Sequence, residues 1–119
     1  MRTPNEIATE YLAAWNADND DERRELLDGW SPDARYDDPM MSGTGRDGIA
    51  SMMTDARAQF PGHAFTLRGT PDGHGAFVRF SWLLALHGKA AIAGGTDTVR
   101  LDDEGRIAEI IGFLDGAGS

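Results

Sequence analysis

The sequence predicts an α+β fold, with three N-terminal helices packed on one side of a curved, mostly antiparallel sheet. Three observations carry this expectation. Apolar residues recur at helical spacing as far as Phe60. They alternate with period two from His63 onward. A short strand-like stretch, Ala34-Arg35-Tyr36-Asp37-Asp38-Pro39, interrupts the helical half. Helices and strands segregated along the chain pack as layers rather than as parallel βαβ units. A length of 119 residues suits a single domain, 1–119, with one core.

Taken in order, Thr3-Pro4-Asn5-Glu6 opens the first helix, with Thr3 as N-cap, Pro4 at its first position and Glu6 at its third. Ile7, Ala8, Tyr11, Leu12 and Trp15 form its apolar face. Asn16 to Asp21 is a polar break, and a second short helix follows with Leu26, Leu27 and Trp30 on one side. The strand around Tyr36 ends at Pro39 and runs through the turn Met40 to Gly45 into a third helix. That helix spans about Arg46 to Phe60 and buries Ile49, Met52, Met53, Ala56 and Phe60. A four-strand antiparallel meander completes the fold: His63 to Gly69, Ala76 to Leu86, Ala90 to Leu101 and Arg106 to Leu114. Val78, Phe80, Trp82, Leu84 and Leu86 share one face of the second of these strands. In the last, Ile107, Ile111 and Phe113 share one face while Ala108, Ile110 and Leu114 share the other. A strand apolar on both faces is either covered twice or meets a second copy of the chain. The tail from Asp115 to Ser119 is expected to fray.

Charge excludes several functions. The net charge of −9 comes from 20 acidic against 11 basic side chains, and the basic residues are adjacent only at Arg23-Arg24. Nucleic acid and anionic membranes need concentrated positive charge and are not expected partners. With no cysteine there is no thiolate nucleophile, disulfide or cysteine metal site. Met1 to Asn16 has no long apolar run and carries Glu6 and Glu10, and no stretch approaches a membrane span. The expectation is a cytoplasmic protein.

Three polar groups fall on otherwise apolar faces. Asp38 shares a strand face with Ala34 and Tyr36, Asp97 shares one with Ala93, Gly95, Val99 and Leu101, and Tyr11 lies inside the first helix's apolar stripe. An acid among apolar neighbours must pair, protonate or do chemistry. Each residue also has a plainer reading. Tyr11 serves as a core tyrosine bonded to a backbone carbonyl, Asp38 as the cap of its own turn, and Asp97 as a satisfied core acid. Gly94-Gly95 leaves space beside Asp97. Met40, Met41, Met52 and Met53 suit either an adaptable pocket or a core.

The segments Tyr11-Leu-Ala-Ala-Trp-Asn-Ala-Asp, Tyr36-Asp-Asp-Pro, Gly45-Arg-Asp-Gly-Ile, Gly95-Thr-Asp-Thr-Val and Asp103-Glu-Gly-Arg-Ile resemble the nuclear transport factor 2-like (SnoaL-like) superfamily over nearly the whole chain. The resemblance implies an NTF2-like cone enclosing a pocket. It leaves function open among isomerases, cyclases, hydrolases, dehydratases and binders. Placement similar to ketosteroid isomerase implies Tyr11 as hydrogen-bond donor, Asp38 as general base and Asp97 as a protonated donor beside Tyr11. It implies a cofactor-independent isomerase or cyclase acting on a small hydrophobic carbonyl compound. The alternative is a non-catalytic ligand-binding or dimerisation module. The expected pocket residues are Trp15, Tyr36, Met40, Met53, Phe60, Phe80, Trp82, Val99 and Phe113, with a homodimer formed through the sheet. The segment after Pro39 is short, and Trp15, Trp82 and the methionines take up room, which argues against a steroid-sized substrate. The catalytic signature of the polyketide cyclases is not identifiable. His63, His74 and His87 lie at turns without metal-ligand spacing, so neither metal nor cofactor is expected.

Overall fold

The computed structural model describes residues 2–116. Helix α1 is Pro4–Asn16, α2 Asp20–Leu27 and α3 Gly45–Ala58. The strands are β1 Arg35–Asp37, β2 Ser42–Thr44, β3 His63–His74, β4 Phe77–Leu86, β5 Ala93–Leu101 and β6 Ile107–Leu114. They form one six-stranded sheet in the order β2-β1-β6-β5-β4-β3. Only β1 against β6 is parallel. The α+β architecture and the meander are as the sequence predicts, and the helices sit over the sheet face carrying Val78, Phe80, Trp82 and Leu84.

The first helix opens as its sequence dictates. The Thr3 hydroxyl accepts the Glu6 amide, the Glu6 carboxylate accepts the Thr3 amide, and Pro4 occupies a position that needs no donor. Its far end is fixed to β3 by Asn16, whose side chain donates to the Phe65 carbonyl and accepts the Phe65 amide, each at 2.8 Å.

Several local expectations are corrected. The segment after Pro39 is not a plain turn: Ser42–Thr44 turns back and pairs antiparallel with β1, adding a sixth strand. The strand from His63 runs through Pro71 to His74, because an irregularity between Arg68 and Asp72 absorbs Gly69 and Pro71 without ending the pairing. In β6 the register slips between the pairs Arg100–Glu109 and Leu101–Ile107. That bulge turns Ile107 inward, away from Ile111 and Phe113. Asp115 is anchored, through its amide to the Gly94 carbonyl and its carboxylate to Arg68. Residues 117–119 of the expected tail lie outside the described residues.

On α2, Leu26 is exposed and the buried place belongs to Arg23, only 2% exposed. Its guanidinium donates to the carbonyls of Ala14, Trp15 and Ala17 and to the Thr54 hydroxyl. One cation thus satisfies the orphan carbonyls at the end of α1 and ties α2 to α3. Arg23→Ala is expected to cost about 3 kcal/mol, because the carbonyls would stay buried without donors. Arg24→Ala, next to it in an exposed pairing with Asp20 and Asp47, is expected to shift stability far less. Urea denaturation of both variants checks the contrast.

Candidate active site

Tyr11 and Trp15, one turn apart on α1, face the sheet together. The Tyr11 hydroxyl donates to Asp97 Oδ2 at 2.5 Å and accepts Trp15 Nε1 at 2.9 Å. Trp82 Nε1 donates to the other oxygen, Asp97 Oδ1, at 3.2 Å. Asp97, on β5, is 2% exposed. Burial pushes its carboxyl up to about 6, against the opposing pull of the Tyr11 and Trp82 hydrogen bonds, and the charge of Asp38 adds to the rise. Burial, reinforced by Asp97, also raises the Tyr11 hydroxyl well above the tyrosine range. Tyr11 is therefore a neutral donor across physiological pH.

Asp38 is held differently. Its Oδ1 accepts the amides of Met40 and Met41 at 2.7 and 2.9 Å, closing the β1–β2 turn, while Oδ2 accepts the Tyr36 hydroxyl at 2.6 Å. The Tyr36 hydroxyl is raised by burial first, then by Asp97 and by its bond to Asp38. Gly112 of β6 separates the two acids. A Cβ there would come within 3.0 Å of Asp97 Oδ1 and 3.1 Å of Asp38 Cβ.

Tyr11, Trp15, Tyr36, Asp38, Met40, Phe60 and Trp82 line one cavity of about 130 Å³. Met40 and Phe60 are exposed and form part of its mouth. The wall is otherwise apolar except for Arg57. Asp97 is not on this wall; it lies behind Tyr11 and Trp82, two wall residues that both hydrogen-bond to it. Met53, Phe80 and Val99 are buried in the core away from the wall, with Phe80 packed on the Tyr11 ring at 5.1 Å. Phe113 is 60% exposed on the outer sheet face, the parity opposite to Gly112 and Leu114. The space left by Gly95 is filled: a Cβ there would lie 2.7 Å from the Trp82 indole, so this glycine lets the ring cross β5 to reach Asp97. Arg57 and Gly112 were not singled out by the sequence. A helical arginine looks solvent-facing, and a glycine in an apolar strand carries no sign of what lies across from it.

Among the described residues there is no group of three His or carboxylate side chains placed to hold a metal, and no helix is long and apolar enough to cross a membrane.

A family model described as a SnoaL-like domain matches residues 8–110, and the chain belongs to this family. It is similar to a candidate isomerase of the SnoaL-like family from Agrobacterium tumefaciens str. C58, at 53% identity and TM-score 0.89, over 92% of this chain and 95% of that one. The fold is shared with a candidate ketosteroid isomerase from Kribbella flavida, at 19% identity and TM-score 0.69, over 98% of this chain and 80% of that one. It is also shared with a candidate polyketide cyclase from Sinorhizobium meliloti, at 18% identity and TM-score 0.66, over 89% and 92%. No curated protein matches the sequence.

The Asp97 environment gives a pH test. Its folded value of about 6 exceeds the ordinary 3.8, so the native state holds this proton more tightly than the unfolded chain. The resulting stabilisation is complete below the ordinary value and is lost as pH rises through about 6. The shift corresponds to about 3 kcal/mol. Wild type is therefore expected to lose stability relative to Asp97→Asn between about pH 4 and 7. Denaturant midpoints of both proteins across that range check the slope, and parallel curves would refute it.

Proposed function

We propose that the protein is a cofactor-independent acid–base isomerase or cyclase acting on a small hydrophobic carbonyl compound. One observation carries the reading. Tyr11, Tyr36 and Asp38 open onto a single apolar cavity, with Asp97 directly behind Tyr11. Below about pH 6, where Asp97 is neutral, its proton is donated to the Tyr11 oxygen, which already accepts Trp15 Nε1. The Tyr11 proton then turns toward the substrate carbonyl and meets the negative charge that develops as an enolate forms. Asp38 takes the proton from the carbon beside the carbonyl and returns it elsewhere on the same molecule. The scarcity of polar groups on the wall strengthens these interactions and keeps water from the enolate.

The cavity limits substrate size. About 150 Å³ of apolar space holds one benzene molecule, so about 130 Å³ suits a single ring or an equivalent chain. Single-ring β,γ-unsaturated ketones in D₂O are the appropriate panel. Proton NMR is expected to show deuterium entering beside the carbonyl and the double bond moving into conjugation. Asp38→Asn keeps an oxygen for the two turn amides while removing the base. It is expected to slow exchange roughly 10²–10⁴-fold with little loss of stability.

A second reading, a non-catalytic binder, is favoured by the two amides on Asp38 Oδ1, which make this acid the cap of its own turn. It predicts that the same ketones raise Tm, exchange no deuterium, and bind Asp38→Asn equally well. In either reading a second copy would meet the outer sheet face, where Ile111 and Phe113 are exposed. Sedimentation equilibrium is expected to give twice the chain mass, and Phe113→Lys to return it to a single chain.

A further inference from the structure

Arg57 does not fit a purely apolar cavity. It stands in the last turn of α3 and borders both the cavity and a polar surface depression lined by Asn16, Asp18 and His63. Its Nε and Nη1 are buried and have no hydrogen-bond partner. The guanidinium lies 5.8 Å from the centre of the Phe65 ring, itself part of the wall. A cation over an aromatic face is attracted to it, but that contact satisfies none of its N–H groups. The buried Arg23, by contrast, is fully occupied, with four hydrogen bonds at 2.7 to 3.4 Å. Asp18 supplies the favourable charge on Arg57 and Arg23 a repulsive one, yet neither bonds to it. Dry, unbonded guanidinium nitrogens cost free energy that the Phe65 face and the Asp18 charge return only in part. A planar fork whose Nε and Nη1 lack partners matches a carboxylate better than any other common group, once the side chain turns them toward the cavity.

We propose that Arg57 anchors the ligand of this cavity, and that this ligand is a small apolar carboxylate whose body fills the space between Tyr11, Trp15 and Phe65. The proposal deepens the pocket reading above and rests on it. It defines the substrate class as an acid carrying one ring or its equivalent, held by its carboxylate at α3 while the remainder faces Tyr11 and Asp38. Arg57 is then a binding residue, outside the proton-transfer chemistry.

Calorimetric titration of the full chain with benzoate, and with benzamide as its neutral counterpart of matched shape, tests this. Wild type is expected to bind benzoate at least tenfold more tightly than benzamide. Arg57→Met is expected to lose that preference while keeping its benzamide affinity, and Arg57→Lys to keep part of it. The unliganded Arg57→Met variant is expected to melt no lower than wild type, since it removes unbonded buried donors. Equal affinity for the two probes in wild type, or an unchanged preference in Arg57→Met, would overturn the carboxylate assignment while leaving the pocket intact. A lower Tm in Arg57→Met with loss of both probes would make Arg57 a structural brace and overturn it as well. If wild type bound neither probe, the assignment and the pocket reading would fall together.

Discussion

The hydrogen bond between Tyr11 and Asp97 is the constraint to which the rest of the interior answers. It joins α1 to the middle of the sheet across a buried interface, and it puts an acid where only apolar side chains would be comfortable. Neighbouring residues are arranged around that acid. Trp15, one turn from Tyr11, donates to the same hydroxyl, and Trp82 donates to the free carboxylate oxygen. Trp82 reaches it because Gly95 has no side chain, and Asp97 has room beside β6 because Gly112 has none. A core built only for stability would put well-packed apolar groups here.

The two acids show how environment divides one residue type into two roles. Asp38 sits at a turn, with two backbone amides and a tyrosine hydroxyl directed at it, so its local sequence supplies what a carboxylate needs. Asp97 has one hydroxyl and one indole, no backbone donor and no cation, and burial outweighs both hydrogen bonds. With only Gly112 between them, the charge of Asp38 adds to the rise at Asp97. In the proton-transfer reading, the acid at the mouth of the chemistry is the base and the deeper acid keeps the proton.

Much of this was legible in the sequence, for physical reasons that also set its limits. The change of period near Pro61 located the helical and sheet halves, and the capping box located the start of α1. Strand alternation exposed Asp97 as misplaced, because one residue of the wrong polarity on a buried face stands out against period two. Alternation failed where the backbone departs from it: the bulge at the start of β6 moved Ile107 inward, and the strand β2 was hidden in Ser42-Gly43-Thr44, which carries no apolar pattern. The wall of the cavity was harder to read than the core. Whether Phe80 or Trp82 reaches open space depends on sheet curvature and on glycines in neighbouring strands, and no single segment encodes that. Arg23 and Arg57 escaped notice because arginine is exposed by default.

Those two arginines, both near the junction of α1, α2 and α3, show why an unsatisfied donor is informative when a satisfied one is not. Arg23 is buried and explained: three carbonyls and a hydroxyl account for its position, and it needs no ligand. Arg57 also meets a desolvation cost, without the bonds, in a wall that otherwise offers almost nothing polar except two tyrosines and Asp38. An apolar replacement would fill the same wall more cheaply, so a structural role alone gives no reason for a guanidinium there. A ligand oxygen would supply the missing partner, and the same low-dielectric surroundings that make the unpaired cation costly would then make the pairing strong.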